Sequence, residues 1–401
     1  MSRSDSPAML HLDMPNLCAD MAWVQISKKN ETICGDFFTV ADQGEKQVLV
    51  LSDGLGSGVK ANILSTLTAT MLSQMVAGGV AARDAVQAVT RTLPVCSVRG
   101  LAYATFSLLE FTKDTVYLLQ YDNPDLILIR NDTVTEYPIH ESYLGEKHLH
   151  ESFLKIQEGD TLVLMSDGIT NAGMGKTTNG GWGRHDVIQY CNSRYAPGMS
   201  ARDMACRITD AGLALNTYGV DDDMTILVLR ICKPQITNLM IGPPSDPSND
   251  RMDMNRFFQL PGRHIICGGT TAHIAADHLG KTLRTIAGSG LDDIPSAMEL
   301  EGVDYITEGQ LTLERLLEYC REWDNDPVDF LSRKKSTNPA MKLMDYLFSK
   351  STHINIFFGS AENQSQRELQ LTSEAKQRKV EELIAHLKKQ GKIVNNAYWA
   401  I

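Results

Sequence analysis

The chain has 401 residues, 43% of them hydrophobic and 22% charged, the balance of a globular protein long enough for two or three domains. Its formal net charge of −11 argues against nonspecific binding to nucleic acid or to an anionic membrane surface. No apolar stretch approaches the roughly 18 residues needed to span a bilayer, and residues 1–8 are polar with no apolar signal core, so a cytoplasmic protein is expected.

Short apolar runs rich in Val, Leu and Ile read as buried strands. Residues 22–26, 37–40 and 46–51 are the first three. A long helix is expected over 57–77, with Ile63, Leu67, Met71, Leu72 and Met75 near helical spacing and Gly78-Gly79 as its stop. A second helix over 82–92 ends before Pro94. Strands follow at 102–111, 115–121 and 126–130, the last two joined by the tight turn Asp122-Asn123-Pro124-Asp125. Residues 162–165 form the next strand, and 185–195 and 200–215 the next helices, the latter capped by Ser200 with Asp203 three residues on. A strand at 225–231 closes the unit.

Residues 234–250 contain Pro234, Pro243, Pro244 and Pro247 and read as a linker or extended surface segment. A second compact unit then begins. Strands are expected at 264–267, 283–287 and 353–358, and helices at 272–279, 311–323, 342–349 and 373–390, the last stopped by Gly391. The expected division is 1–232, a linker at 233–262, and a small α/β domain at 263–401, regulatory through homodimer formation or ligand sensing. Periodicity alone supports an α+β layered fold for the first part. No internal repeat interrupts either part.

Four acidic motifs punctuate the first unit: Gly35-Asp36, Ser52-Asp53-Gly54-Leu55-Gly56, Ser166-Asp167-Gly168 and Asp221-Asp222-Asp223-Met224-Thr225. Each borders an apolar run, so the fold is expected to present several carboxylates from the ends of neighbouring strands. Converging carboxylates repel one another and are costly to desolvate unless a hard cation sits between them. One Asp-Gly alone would read as a turn. Four in this order and setting point further, and an all-oxygen set without His or Cys suits Mg²⁺ or Mn²⁺.

Gly-Asp, then Ser-Asp-Gly-Leu-Gly-Ser-Gly opening a helix, then Ser-Asp-Gly, then Asp-Asp-Met-Thr before a strand resembles the metal-dependent PPM-type protein phosphatases. Within them it is most similar to the bacterial branch named after stage II sporulation protein E (SpoIIE), over about residues 20–232. The resemblance implies a four-layer αββα sandwich, followed here by the smaller α/β domain, for which no family is recognised. It implies two Mn²⁺ or Mg²⁺ ions and hydrolysis by a two-metal-activated water. Asp36 would reach toward both ions. Asp53 and the Gly54 carbonyl would serve one, and Asp167 and Asp222 the other. Asp222 is chosen because it stands first in the Asp-Asp-Met-Thr unit. Asp223 is expected to support a ligand, Asp221 to lie in the turn, and Thr225 to fix that turn through its hydroxyl.

The expected activity is therefore a protein serine/threonine phosphatase acting on a phosphoprotein, such as an anti-anti-sigma-type bacterial regulator, with no nucleic-acid or membrane partner. A small-molecule phosphoesterase and a non-catalytic ligand-sensing module on the same fold are the alternatives. Gly56, Ser57 and Gly58 read as a sharp turn beside the metals, with phosphate contact as the alternative. Lys28 and Lys29 lie near the position of a basic residue in relatives, in uncertain register. His140, His148 and His150 read as a surface loop, so no general acid is assigned. The eight cysteines, with no Cys-x-x-Cys pair, read as reduced buried thiols. Oxidation of Cys34, two positions before Asp36, is the regulatory alternative. In the second unit, Cys267-Gly268-Gly269-Thr270-Thr271 reads as a turn and helix cap. Phosphate binding there, helped by Lys281 or Arg284, is the alternative. Residues 294–309, with Glu301, Asp304 and Glu308, read as a solvated loop, and His273 and His278 are assigned no metal.

Overall fold

The computed structural model describes residue 10 and residues 16–43, 46–92, 104–145, 147–217, 219–244, 246–290, 293–327, 329–330, 338–359 and 373–399. Residues 1–8, Cys96 and the start of the strand expected at 102–111 lie outside the described residues. The chain forms two compact units, Met1–Lys233 and Pro234–Ile401.

The first unit runs β1 (Cys18–Ile26), β2 (Asp36–Asp42), β3 (Gln47–Asp53), α1 (Gly58–Ala77), α2 (Ala82–Thr92), β4 (Thr105–Thr112), β5 (Thr115–Tyr121), β6 (Ile127–Arg130), β7 (Thr133–Thr135), β8 (His140–Leu144), β9 (Lys147–Lys155), β10 (Thr161–Met165), α3 (Asp167–Thr170), α4 (Arg184–Arg194), α5 (Ala201–Leu215) and β11 (Met224–Cys232). Two antiparallel sheets result, in the orders β1-β11-β10-β6-β7 and β2-β3-β4-β5-β9-β8. The alternation of β3 shows how they stack. Leu49 and Leu51 join Leu109, Leu118, Leu162, Leu164, Leu227 and Leu229 in a core between the sheets. Val48 and Val50, on the opposite face, pack with Ala69, Leu72 and Val76 of α1 and Val86 of α2. A strand buried on both faces reads as an unbroken apolar run, which is why 47–51 stands out in the sequence. On the far side, α5 lies on β1 and β11. Its N-terminus is capped by Ser200, whose hydroxyl accepts from the Asp203 N–H at 3.0 Å, and the buried Asp20 carboxylate accepts from the Ala201 N–H at 3.0 Å. The layers are thus αββα.

The buried face of α1 differs from the expected one. Ala61, Ser65, Thr68, Ala69, Leu72 and Val76 face inward, while Ile63 and Leu67 are 54% and 43% exposed. Small residues face the sheet because the helix approaches it closely: the Ser65 hydroxyl donates to the Gly35 carbonyl at 2.5 Å. A further correction concerns residues 140–155. The three histidines stand on the β8–β9 hairpin at the sheet edge, not on a loop. Leu149 packs toward the helices and Leu154 into the core between the sheets, while Tyr143 and Phe153 are exposed, so no simple alternation marks the hairpin.

The second unit runs β12 (Ile236–Ile241), a short 3₁₀ turn, α6 (Asp250–Gln259), β13 (Arg263–Cys267), α7 (Gly269–Leu279), β14 (Arg284–Thr285), β15 (Met298–Leu300), β16 (Val303–Thr307), α8 (Gln310–Asn325), α9 (Pro339–Met344) continuing as a π-turn (Asp345–Ser349), β17 (His353–Phe358), α10 (Ser373–Lys389) and β18 (Ile393–Trp399). Its sheet order is β14-β15-β16-β13-β12-β17-β18, with β16, β13, β12, β17 and β18 all parallel. Ile306 packs in one cluster with Met254 and Phe257 of α6 and Ala272 of α7. Its neighbour Tyr305 points to the other face and donates its hydroxyl to the Pro339 carbonyl of α9 at 3.2 Å. Helices therefore cover both faces, as in a doubly wound sheet.

Three expectations fail here. The segment read as a linker holds β12, which sits in the middle of the sheet, and α6. Residues 294–309 supply β15 and the largely buried β16. The strand at 283–287 shrinks to Arg284–Thr285.

Candidate metal centre

Strand pairing sets Asp36 directly opposite Asp53 at one end of β2 and β3. In the facing sheet, β10 runs through Ser166 into Asp167, the first residue of the one-turn α3, and β11 starts just after Asp222 and Asp223. Three glycines let these chain segments close on one another. A Cβ on Gly54 would stand 2.0 Å from the Ala61 carbonyl oxygen, one on Gly168 2.1 Å from the Asp223 carbonyl oxygen, and one on Gly35 2.6 Å from Asp223 Oδ2. The Asp-Gly and Gly-Asp pairs are thus close approaches as well as turns.

Asp223 is the hub of that closure. It is buried, and its Oδ1 accepts from the Lys28 N–H at 2.9 Å. Ser166 Oγ accepts from the Thr225 N–H at 2.9 Å and donates to the Asp223 carbonyl at 3.4 Å. The Thr225 hydroxyl points away from the turn, toward Gln25 Nε2 at 3.5 Å, Cys34 Sγ at 4.0 Å and the Asp36 carboxylate. Asp221 points outward and pairs with Lys176 at 2.6 Å.

Electrostatics concentrate on the aspartates. Asp36 is 1% exposed, and both its carboxylate oxygens are buried without a hydrogen-bond partner, as is Asp167 Oδ1. Burial pushes the Asp36 carboxyl well above its ordinary range; the nearby Thr225 and Ser166 hydroxyls, outside good hydrogen-bond geometry, hold it down in part, and the charges of Asp223 and Asp167 add to the rise. Asp53 is pushed the same way by burial and then by Asp36, Asp167 and Asp222. Asp222 is raised by burial and by Asp167. Orphaned, mutually repelling carboxylate oxygens fit a hard divalent cation or, without one, retained protons. Asp36, Asp53, Asp167 and Asp222 lie close enough to raise one another's carboxyls.

The surroundings settle several open readings. Gly56 and Gly58 adopt φ of +108° and +67°, and Glu31 closes the start of α1: the Ser57 hydroxyl donates to Glu31 Oε1 at 3.0 Å. That is the turn reading, with a carboxylate where a phosphate would have to sit. Lys28 carries its charge close enough to Asp222 to favour the carboxylate, whereas the Lys29 stem covers Gly219. Burial, then Asp36 and Asp223, push the Cys34 thiol far up, which opposes the thiolate needed for oxidation. The seven described cysteines are free thiols.

The histidines were missed as part of the site. A cavity of about 480 Å³ is lined by Asp167 together with His148, His150, Tyr121 and Asn123. His150 Nδ1 lies 2.6 Å from Asp125 Oδ1, and His148 Nε2 lies 3.2 Å from Glu141 Oε2. Glu141, His148 and His150 each bring one ligand atom within 4.8 Å of the others. The only sequence signal was the His-x-His spacing, which sets both rings on one face of a strand.

Residues 43–232 match the model of a family described as stage II sporulation protein E. The match takes in Asp53, Gly54, Asp167 and Asp222 and begins after Asp36. Stage II sporulation protein E of Bacillus subtilis (strain 168) is 22% identical over 211 residues, 51% of this chain and 25% of that protein. The chain thus spans about a quarter of the length of that curated relative. Among solved structures, the phosphatase domain of SpoIIE from Bacillus subtilis is 19% identical with a TM-score of 0.43, covering 54% of this chain and 94% of that one. The RsbU and RsbW domains of a Mycobacterium tuberculosis protein are 19% identical with a TM-score of 0.45, covering 60% and 69%. RsbX in complex with magnesium is 17% identical with a TM-score of 0.37, covering 53% and 95%.

Proposed function

We propose that this chain, whose residues 43–232 match the model of the stage II sporulation protein E family, is a Mn²⁺- or Mg²⁺-dependent phosphatase acting on phosphoserine or phosphothreonine in a regulatory protein. The observation that carries this reading is Asp36, buried to 1% exposure with both carboxylate oxygens unpartnered beside Asp53. Asp36, Asp53 and the Gly54 carbonyl would hold one ion, and Asp36, Asp167 and Asp222 the other. Two such ions, when bound, supply a nucleophile at neutral pH and positive charge for the phosphoryl oxygens.

The protein's own residues do the rest. Asp223 and Ser166 fix the strand ends, so the ligands are held in place before substrate arrives. Lys28, near Asp222, adds positive charge at the rim. The cavity beside Asp167 supplies room for a phosphorylated side chain. There His150, oriented by Asp125, is placed to give a proton to the departing serine or threonine oxygen. Water's oxygen bonds to phosphorus as the bond from phosphorus to that oxygen breaks, and the departing oxygen takes the His150 proton, leaving serine or threonine and inorganic phosphate.

An anti-anti-sigma-type protein is the class of substrate we propose, following the resemblance of the four acidic motifs to the SpoIIE branch, and a cytoplasmic location goes with that role. The second unit would regulate, as a homodimer contact or a ligand sensor. The test is phosphate release from a phosphoserine peptide and from a chromogenic ester, with and without Mn²⁺. Capture of a phosphoprotein by Asp167→Asn would name the substrate. Turnover of the ester but of no phosphopeptide or captured protein would favour a small-molecule phosphoesterase instead.

A further inference from the structure

In the second unit, the parallel strands appear in the sheet as β16-β13-β12-β17-β18. In chain order this is third, second, first, fourth, fifth. The chain therefore starts in the middle, builds outward one way, then returns and builds the other way. At such a reversal the connections leave the carboxyl ends of adjacent strands in opposite directions and open a crevice between them. A cavity of about 400 Å³ lies there, within the range of small-ligand sites. It is lined by segments that follow four strands: Gly242 and Pro243 after β12, Gly268 to Thr271 after β13, Glu308 to Leu311 after β16, and Phe358 and Gly359 after β17.

One wall is suited to an anion. The 11-residue helix α7 begins at Gly269, its N-cap Gly268 offers no side-chain cap, and no acidic residue stands in its first turn. A Cβ added to Gly269 would meet nothing within 4 Å, so this position faces open space. Thr271, which also lines the cavity, is 0% exposed, yet its hydroxyl oxygen has no hydrogen-bond partner. A buried hydroxyl left unpartnered costs about 1–3 kcal/mol, a cost removed by a ligand that accepts its proton. Lys376 and Lys379 of α10 stand on the same cavity, Lys379 paired with Glu314 at its side. Lys281 does not contribute, being ion-paired to Glu301 at 2.8 Å, and Arg284 is an exposed edge residue. The N-terminus of α8 is already closed, because Glu308 accepts from the N–H groups of Gln310 at 3.2 Å and Leu311 at 3.0 Å. The remaining wall is apolar, with Leu311, Leu313, Phe358 and Pro243.

We infer that this cavity binds a nucleotide-class ligand, its phosphate at the start of α7 against Gly269 and Thr271 and its flat ring against Leu311 and Phe358. A phosphate there meets the helix dipole and the Thr271 hydroxyl, with the Lys376 and Lys379 side chains on the same cavity, and the ring covers apolar surface. The inference is independent of the phosphatase reading, since the cavity lies wholly within the second unit.

The experiment uses the full chain in EDTA, so that phosphate groups have no metal to bind in the first unit. ADP, GDP, NAD⁺, FMN and inorganic phosphate are titrated by calorimetry and thermal shift. We expect one-to-one binding by at least one nucleotide, tighter than inorganic phosphate. Gly269→Asp should weaken it by about tenfold or more, because the added carboxylate opposes the ligand's charge, while the same carboxylate favours the helix N-terminus and leaves the unliganded melting temperature level or higher. Thr271→Val should also weaken binding without lowering stability. No response from any nucleotide, or equal affinity in wild type and Gly269→Asp, overturns the inference. Loss of binding in Asp36→Asn but not in Gly269→Asp would place the ligand in the first unit and overturn it equally. Inorganic phosphate binding as tightly as every nucleotide would overturn the apolar half of the assignment.

Discussion

Replacing Asp36 by Asn separates the cost of the metal centre from its use. In metal-free protein, burial and the neighbouring charges raise the Asp36 and Asp53 carboxyls above their unfolded values. A carboxyl raised in this way keeps its proton in the folded state where the unfolded state has lost it. Its stabilising contribution is complete below the unfolded value near pH 4 and declines as pH rises toward the folded value. Each proton retained only by the folded state makes stability fall by about 1.4 kcal/mol per pH unit. For a domain of this size that is about 3–6 °C of melting temperature per pH unit. Asp36→Asn removes one such group and lowers the repulsion on Asp53. Scanning calorimetry in EDTA should therefore show variant and wild type melting together near pH 4 and diverging as pH rises, the variant being the more stable. Saturating Mn²⁺ should raise the wild type and flatten or invert its pH dependence, because metal and protons compete for the same oxygens. Parallel pH profiles in EDTA, or a variant less stable than wild type at neutral pH, would refute the argument that these carboxylates are strained without a cation.

Three further outcomes are expected. Gly54→Ala, whose Cβ would lie 2.0 Å from the Ala61 carbonyl oxygen, should lower the denaturation midpoint with a loss of about 2–3 kcal/mol and more. Gly56→Ala, with open space around it but φ of +108°, should cost about 1 kcal/mol. Asp223→Ala leaves the Lys28 N–H without its acceptor and should weaken Mn²⁺ activation by about 10–100-fold, read from the metal dependence of turnover. His150→Gln should slow release from phosphoserine, a poor leaving group, by about 100-fold while sparing a nitrophenyl ester, whose oxygen leaves without a proton; equal slowing of both would assign His150 a binding role instead.

That the aspartates come together was legible because each borders an apolar run, and runs such as Val48 to Leu51 are unbroken when both faces of a strand are covered. The buried face of α1 was not legible. Packing so close that Ser65 touches the Gly35 carbonyl selects Ala, Ser and Thr over Ile63 and Leu67, so hydrophobicity points to the wrong side. The β8–β9 hairpin was hidden because its buried leucines, Leu149 and Leu154, face opposite sides and Tyr143 and Phe153 are exposed, and with it the histidines beside Asp167. In the second unit, β12 is flanked by prolines that mimic a linker, although Leu239 and Met240 are fully buried. Its neighbours in the sheet come from residues far along the chain, pairings that local pattern does not encode. The Gly268–Thr271 turn was visible as a motif. That it opens on a cavity built from four strand ends depends on the strand order.

The most direct measurement of the central claim is phosphate release from a phosphoserine peptide by metal-stripped protein titrated with Mn²⁺, run beside Asp53→Asn and Asp222→Asn. The account predicts no release without metal, a saturable rise with Mn²⁺ in the wild type, and loss of that rise in both folded variants. Release by the wild type in EDTA, or an undiminished Mn²⁺ response in Asp53→Asn, would contradict it.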